Sequence, residues 1–242
     1  MPGRIITSRS VSFLPDPDFW GFEPMVNVVR RRRGAAERRQ PLGAAAEHYA
    51  SMGWPVCAGA HPYRGTRASI EPGRACSCDR VGCPAPGAHP ISPAWQMQAT
   101  VDHGVIESWW ETRPEANVIL VTGRVFDVLD VPVAAGSAAL ARIDLTETAV
   151  GPVAVLGQDR MLFFVMTRGS PADEDEWWSC GLDCEPESVA AGLRWHCRDS
   201  YVLAPPSACA SGLVARWIRA PQEHPLPDAL RLLEYLVDAC ED

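Results

Sequence analysis

Asp130 is the best-placed residue in this chain for chemistry: it is a carboxylate set within an otherwise apolar run, NVILVTGRVFDVLDVPV at residues 117–133. The run reads as two β-strands around a Thr122-Gly123 turn. In an extended strand the side chains of residues i and i+2 leave the same face. An Asp-x-Asp or Asp-x-Glu here would therefore aim two carboxylates at a divalent cation, but Pro132 stands at the second position. Asp127 is three residues from Asp130 and belongs to the opposite face, so only a β-bulge would turn it over. Asp144 and Asp159 would have to reach in from elsewhere. A plainer role for Asp130 is an ion pair with Arg124 or Arg160.

A second constellation is Cys76, Cys78, Cys83 and His89, spaced C-x-C-x4-C-x5-H. Three thiolates and an imidazole make a complete tetrahedral zinc set, and a closed shell of this kind is structural. The surrounding segment, about residues 57–93, is rich in Gly, Pro and Arg and has little apolar content to order it. Metal binding would supply that folding energy. The alternative is a group of incidental reduced thiols, and Cys57 and His61 stand as substitute ligands. Cys180, Cys184, Cys197, Cys209 and Cys240 are scattered and read as small buried hydrophobes. Cys180, Cys184 and Cys197 with His196 form a less distinctive second set.

The elements that must position these residues follow from periodicity. Leu42, Ala45, Ala46, Tyr49 and Met52 recur at helical spacing, with Gly53 as the terminating glycine. A short strand follows at residues 54–56. A helix is expected over about residues 102–112, capped by Thr100 or Asp102 and stopped by Pro114. Residues 134–145 have helical composition, residues 153–156 and 161–166 form a hairpin pair, and residues 201–204 and 213–218 are strand-like. Residues 226–239 make an amphipathic closing helix. Elements in this mixed order predict an α+β fold.

The 22 basic residues are all Arg, which excludes P-loop, Schiff-base and adenylating lysines. The formal charge is −8, yet residues 1–40 hold eight Arg against four acids, including the run at 30–33. The acidic remainder argues against strong non-specific nucleic-acid binding by the folded part. The basic segment reads as a mobile arm, either a solvated leader or a docking tail. No apolar run is long enough to span a membrane, the N-terminus lacks secretory-signal order, and the expected compartment is the cytoplasm.

The order of features resembles the N-terminal domain of bifunctional DNA primase/polymerases, the prim-pol branch of the archaeo-eukaryotic primase superfamily. The resemblance runs from about Leu42 to Ala220. It is carried by Gly53-Trp54-Pro55-Val56, the Cys cluster leading to Gly87-Ala88-His89-Pro90, Ala99-Thr100-Val101-Asp102, and Trp109-Trp110. It continues through the strand ending in Thr122-Gly123, the Asp130 strand, Gly181-Leu182-Asp183, and residues 201–207, YVLAPPS. The resemblance implies two-metal nucleotidyl transfer by an Asp-x-Asp or Asp-x-Glu pair, a His on a following strand and a third acid. Asp130 matches the first acid and Asp183 the third. Pro132 occupies the second acid's place, Met161 the histidine's, and Ala88 that of a lysine before the His-Pro motif. Neither proline nor a thioether suits magnesium or manganese.

The sequence thus predicts a prim-pol-like mixed sheet flanked by helices, with an arm at 1–40, a domain at 41–225 and a helix at 226–242. The function expected is binding or regulation by a catalytically degenerate domain, its partner a nucleotide, nucleic acid or protein. The alternatives are an active primase/polymerase using Mg2+ or Mn2+ through replacement ligands, and a protein-interaction module that needs neither metal nor nucleotide.

Overall fold

The computed structural model describes residues 41–63, 75–167, 190, 192–222 and 224–241. The arm at 1–40, the acidic stretch at 173–176, and Cys180, Asp183 and Cys184 lie outside the described residues. The elements are α1 (41–51), β1 (Val56–Gly59), β2 (Pro62–Tyr63), β3 (Ala75–Cys76), α2 (Trp95–Gln98), α3 (His103–Thr112), β4 (Asn117–Val121), β5 (Phe126–Pro132), α4 (Val133–Ile143), β6 (Val153–Leu156), β7 (Arg160–Met166), β8 (Arg194–His196), β9 (Tyr201–Leu203), β10 (Arg216–Arg219) and α5 (Ala229–Glu241).

These strands form a five-stranded sheet, β10-β6-β7-β5-β8, a three-stranded sheet, β1-β4-β9, and the small β2-β3 pair. Fold class is α+β as expected. All the ladders are antiparallel, and helices flank the sheets. β4 and β5 flank the Thr122-Gly123 turn without pairing to each other, because the chain crosses there from the smaller sheet to the larger.

β5 and β7 read as continuous apolar runs because the large sheet is covered on both faces. On one face Leu129, Val131, Met161, Phe163 and Trp195 pack against Ala139 and Ile143 of α4 and Leu232 and Leu236 of α5. On the other, Phe126, Val128, Leu162 and Phe164 meet Trp54, Val56, Val118, Leu120 and Val202, with Ile106 and Trp110 of α3. Trp54 stacks on Phe164 at 5.4 Å and 7° and on Tyr49 at 6.1 Å and 9°. Tyr49 Oη donates to the Pro205 carbonyl at 2.6 Å, which gives this buried phenol its polar partner. The α3 cap is Asp102, whose Oδ1 accepts from Val105 N at 3.0 Å.

Two of the crossovers between the sheets, β4 to β5 and β8 to β9, are bonded to each other. Thr122 N donates to the Ser200 carbonyl at 3.0 Å, and Thr122 Oγ1 to the Cys197 carbonyl at 2.6 Å. Gly123 has φ +78°, and a Cβ there would lie 2.2 Å from Arg198 Cα. Only glycine lets the two crossovers approach this closely.

Candidate functional site

Asp130 lies on the face of β5 that also carries Phe126, Val128 and Pro132, and its side chain is 7% exposed. Both neighbouring strands bring it a nitrogen donor. From β7, Arg160 Nε donates to Asp130 Oδ1 at 2.7 Å, and its Nη2 donates to the Asp130 carbonyl at 2.9 Å and the Gly192 carbonyl at 2.7 Å. From β8, His196 Nε2 meets Asp130 Oδ2 at 3.3 Å, and His196 Nδ1 meets Ser200 Oγ at 2.9 Å. Each carboxylate oxygen is therefore engaged by the protein. Arg160, named from the sequence as one possible partner, is the arginine that fills the role. Arg124 instead donates to the Gln96 carbonyl.

The register decides which neighbours reach Asp130. Pro132 is opposite Arg160, Asp130 opposite Leu162, and Val131 opposite Met161. Met161 consequently faces the helical layer, in contact with Gly136 of α4, where a Cβ would lie 2.6 Å from its sulfur. The β7 side chain beside the carboxylate is that of Arg160. Asp127 belongs to the Leu129 face, where Trp195 Nε1 donates to its Oδ2 at 3.3 Å. The β5-β7 ladder runs unbroken from Phe126 to Pro132, with no bulge to turn Asp127 over. Asp144 holds Arg219 Nη2 at 2.5 Å.

The sequence reading missed β8 and with it His196 as a neighbour of Asp130. Its signal was short but present: Arg194-Trp195-His196 alternates polar, apolar, polar, as an edge strand with one buried face does. The Cα register places Arg194 directly opposite Asp130 and His196 opposite Val128.

The second site is a candidate metal centre. The ligand atoms of Cys76, Cys78, Cys83 and His89 all lie within 4.8 Å of one another. His89 Nε2 is 3.4 Å from both Cys76 Sγ and Cys83 Sγ. A zinc tetrahedron built with ordinary bond lengths has edges of about 3.5–3.8 Å, so the donor set fits such an ion. His89 Nδ1 sits 2.8 Å from the Pro90 carbonyl, a contact that puts the proton on Nδ1 and leaves Nε2 free to ligate. The cluster fits a structural metal such as zinc.

Burial raises the Cys78 thiol, but hydrogen bonds from the Arg80 backbone, Cys76, Cys83 and His89 outweigh it and bring it down to about 7. Burial is also the main cause that pushes Cys83 up to about 11. The two substitutes lie outside the cluster: burial pushes the Cys57 thiol up to about 12, and His61 Nε2 faces Glu115 Oε2 at 3.6 Å.

Asn117 fastens this loop to the sheets. Fully buried at the start of β4, it donates through Nδ2 to the Gly87 carbonyl at 2.8 Å and the Ala208 carbonyl at 2.9 Å, and its Oδ1 accepts from Ala208 N at 2.9 Å. One amide thereby joins the metal-site loop, the smaller sheet and the segment after β9.

Over residues 46–229 the sequence matches the family described as bifunctional DNA primase/polymerase, N-terminal. This chain belongs to that family. No curated protein matches it. Membership gives the prim-pol domain a function related to priming and polymerisation and implies that it binds nucleic acid. No helix among its described residues is long and apolar enough to cross a membrane.

Proposed function

We propose that this prim-pol domain is catalytically degenerate and is retained for binding nucleotide or nucleic acid, or for regulation through a protein partner. The observation that carries this reading is the 2.7 Å contact between Arg160 Nε and Asp130 Oδ1, beside Pro132. Two-metal nucleotidyl transfer needs several carboxylate oxygens turned toward two divalent ions. Among the described residues this face offers one carboxylate, already neutralised by a guanidinium, and proline supplies no ligand in place of the second acid. A fixed positive charge within hydrogen-bond distance of the retained acid opposes cation entry further.

In this reading Asp130 is a structural anion that holds β7 and β8 on either side of β5, and Asp183 is the other vestige of the catalytic set. The Cys76, Cys78, Cys83 and His89 site holds structural zinc. All seven described cysteines are free, which supports a reducing cytoplasm as the compartment. The test is primer extension and de novo primer synthesis on single-stranded DNA with magnesium or manganese, wild type beside Asp130→Ala. Folded, zinc-loaded protein is expected to incorporate no nucleotide. Incorporation that Asp130→Ala abolishes would restore the active-enzyme alternative.

A further inference from the structure

We propose that the groove between α2 and α3 is a docking site for an amphipathic helix of a protein partner, one that carries apolar side chains along one face and a carboxylate about a turn further on. The groove lies along the outer edge of β1. Neither Arg160 nor His196, the two side chains bonded to Asp130, lines it, so the inference goes beyond the degenerate-site reading and does not depend on it. Ile91, Met97, Ala99, Val105 and Trp109 give a cavity of about 720 Å³ its apolar wall, and Arg113 completes the lining. A second cavity of about 380 Å³ shares Ile91 and Arg113 with the first and continues past Ser77, His61 and Glu115.

Val105, Trp109 and Arg113 follow one another at intervals of four and so fall on one stripe of α3. Ile106 and Trp110 are buried against the sheets, and Trp110 Nε1 donates to the Ala116 carbonyl at 2.9 Å, which fixes the rotation of the helix and turns that stripe to the groove. Across the groove, α2 is fastened by its first two residues: Trp95 packs edge-on against Tyr201 at 5.1 Å, and the Gln96 carbonyl accepts from Arg124. That leaves Met97, 85% exposed, and Gln98 to line the cavity. Exposed apolar side chains scattered singly need no explanation, but Met97 and Val105 share one concave wall with Trp109. The thioether adapts readily to different partner side chains.

The backbone along this edge is already bonded. Ile91 N donates to the Ala58 carbonyl at 3.0 Å, and Val56 and Thr100 exchange N–H···O bonds of 3.0 Å each. Recognition therefore falls to side chains, as when a helix lies in a groove, and not to an added strand. The stripe from Val105 to Arg113 spans about 12 Å, or two turns, which matches a partner helix with apolar residues at i and i+4 and an acid at i+7 or i+8. Charge complementarity selects the acid. Arg113 is exposed, makes no side-chain hydrogen bond or ion pair among the described residues, and is the one charged residue among those that line the larger cavity. A carboxylate accepts its fork in bidentate geometry. Glu107 and Glu111 of α3 line neither cavity, and Glu115 faces His61 at 3.6 Å. One cation and one partly packed indole are too few for a single strand of nucleic acid, which needs a charged track and successive stacking platforms.

The experiment pans a phage-displayed library of random peptides, long enough for about four helical turns, on zinc-loaded full-length protein. Selected peptides are synthesised with a fluorescent label and titrated by anisotropy against wild type and variants. The expected consensus is two apolar residues three or four apart, with Asp or Glu about one turn beyond. Arg113→Ala should weaken binding roughly tenfold or more, as for loss of a charged hydrogen bond, and Val105→Asp at least as strongly. Both residues are exposed, and circular dichroism checks that the variants keep the fold. Arg113→Glu should reject the acidic peptide and bind a version with Lys in place of the acid, a rescue that a misfolded variant cannot show. An empty selection, a consensus without an acid, or titrations unchanged in Arg113→Ala and Val105→Asp overturn the inference. Displacement of the peptide by oligothymidylate at comparable concentration also overturns it, by assigning the groove to nucleic acid. Primer extension tests the other claim alone: incorporation defeats the degenerate-site reading and leaves this one standing.

Discussion

Arg160 reaches across the β5-β7 ladder and clasps Asp130 through both side chain and backbone, with Nε on Oδ1 at 2.7 Å and Nη2 on the main-chain carbonyl at 2.9 Å. The same Nη2 also holds Gly192, next to Pro132, whose ring lies 3.0 Å from where a Gly192 Cβ would be. One guanidinium thus closes the space between Asp130 and Pro132.

Arg160→Ala removes the nearest counter-charge from a nearly buried carboxylate. His196 stays in place and offsets part of the loss, so the expected destabilisation is about 3 kcal/mol, at the low end for breaking a buried pair. Chemical denaturation of wild type and variant checks it. Arg160→Lys should recover only part of the loss, because an ammonium cannot hold Asp130 and Gly192 with one rigid plane.

A second prediction concerns metal affinity on the Asp130 face. Pro132→Asp alone should gain little manganese binding, since Arg160 still neutralises Asp130. Arg160→Ala alone leaves a single carboxylate and should also gain little. The double variant, with two carboxylates on one strand face and no guanidinium between them, should bind manganese more tightly than either by tenfold or more. Manganese titration followed by electron paramagnetic resonance tests this non-additivity.

Zinc removal gives a third. With its thiol brought down to about 7 and partly exposed, Cys78 is largely thiolate at pH 8, whereas Cys83 at about 11 and Cys57 at about 12 stay protonated. In metal-free protein, alkylation at pH 8 should label Cys78 first and Cys57 last, and lowering the pH through 7 should slow the Cys78 reaction. Bound zinc should protect Cys76, Cys78 and Cys83 together. Peptide mapping by mass spectrometry reads the order.

Asn117→Ala would leave the Gly87 and Ala208 carbonyls and the Ala208 amide without their buried partner. A loss of about 3 kcal/mol is expected, with greater zinc release at a given chelator concentration, because Gly87 belongs to the metal-site loop. Asn117→Asp keeps the acceptor but not the donors, and should rescue little. Thermal unfolding and a colorimetric zinc assay test the two effects separately.

Gly123→Ala should be more damaging than most surface-turn changes. The added Cβ would sit 2.2 Å from Arg198 Cα on a backbone with φ +78°, so the two crossovers must part. That shift would disturb Ser200 and through it His196. Loss of several kcal/mol of stability is expected, and chemical denaturation would show it.

The sequence by itself determined the parts that depend on near neighbours. Helix α3 is legible from Asp102 and Pro114, the β6-β7 hairpin from its Gly157-Gln158-Asp159-Arg160 turn, and the metal cluster from cysteines and a histidine within one short loop, because each rests on local spacing. The strand bearing Asp130, with Pro132 two residues on, was visible for the same reason. Tertiary structure decided what Asp130 touches: Arg160 and His196 lie 30 and 66 residues away in the chain, and strand pairing alone makes them neighbours. It also decided that Met161 faces α4 while Arg160 faces the acid, since a one-residue change of register exchanges the faces of a strand. Local periodicity gives a strand its two sides, and only long-range pairing selects which residues meet across the ladder.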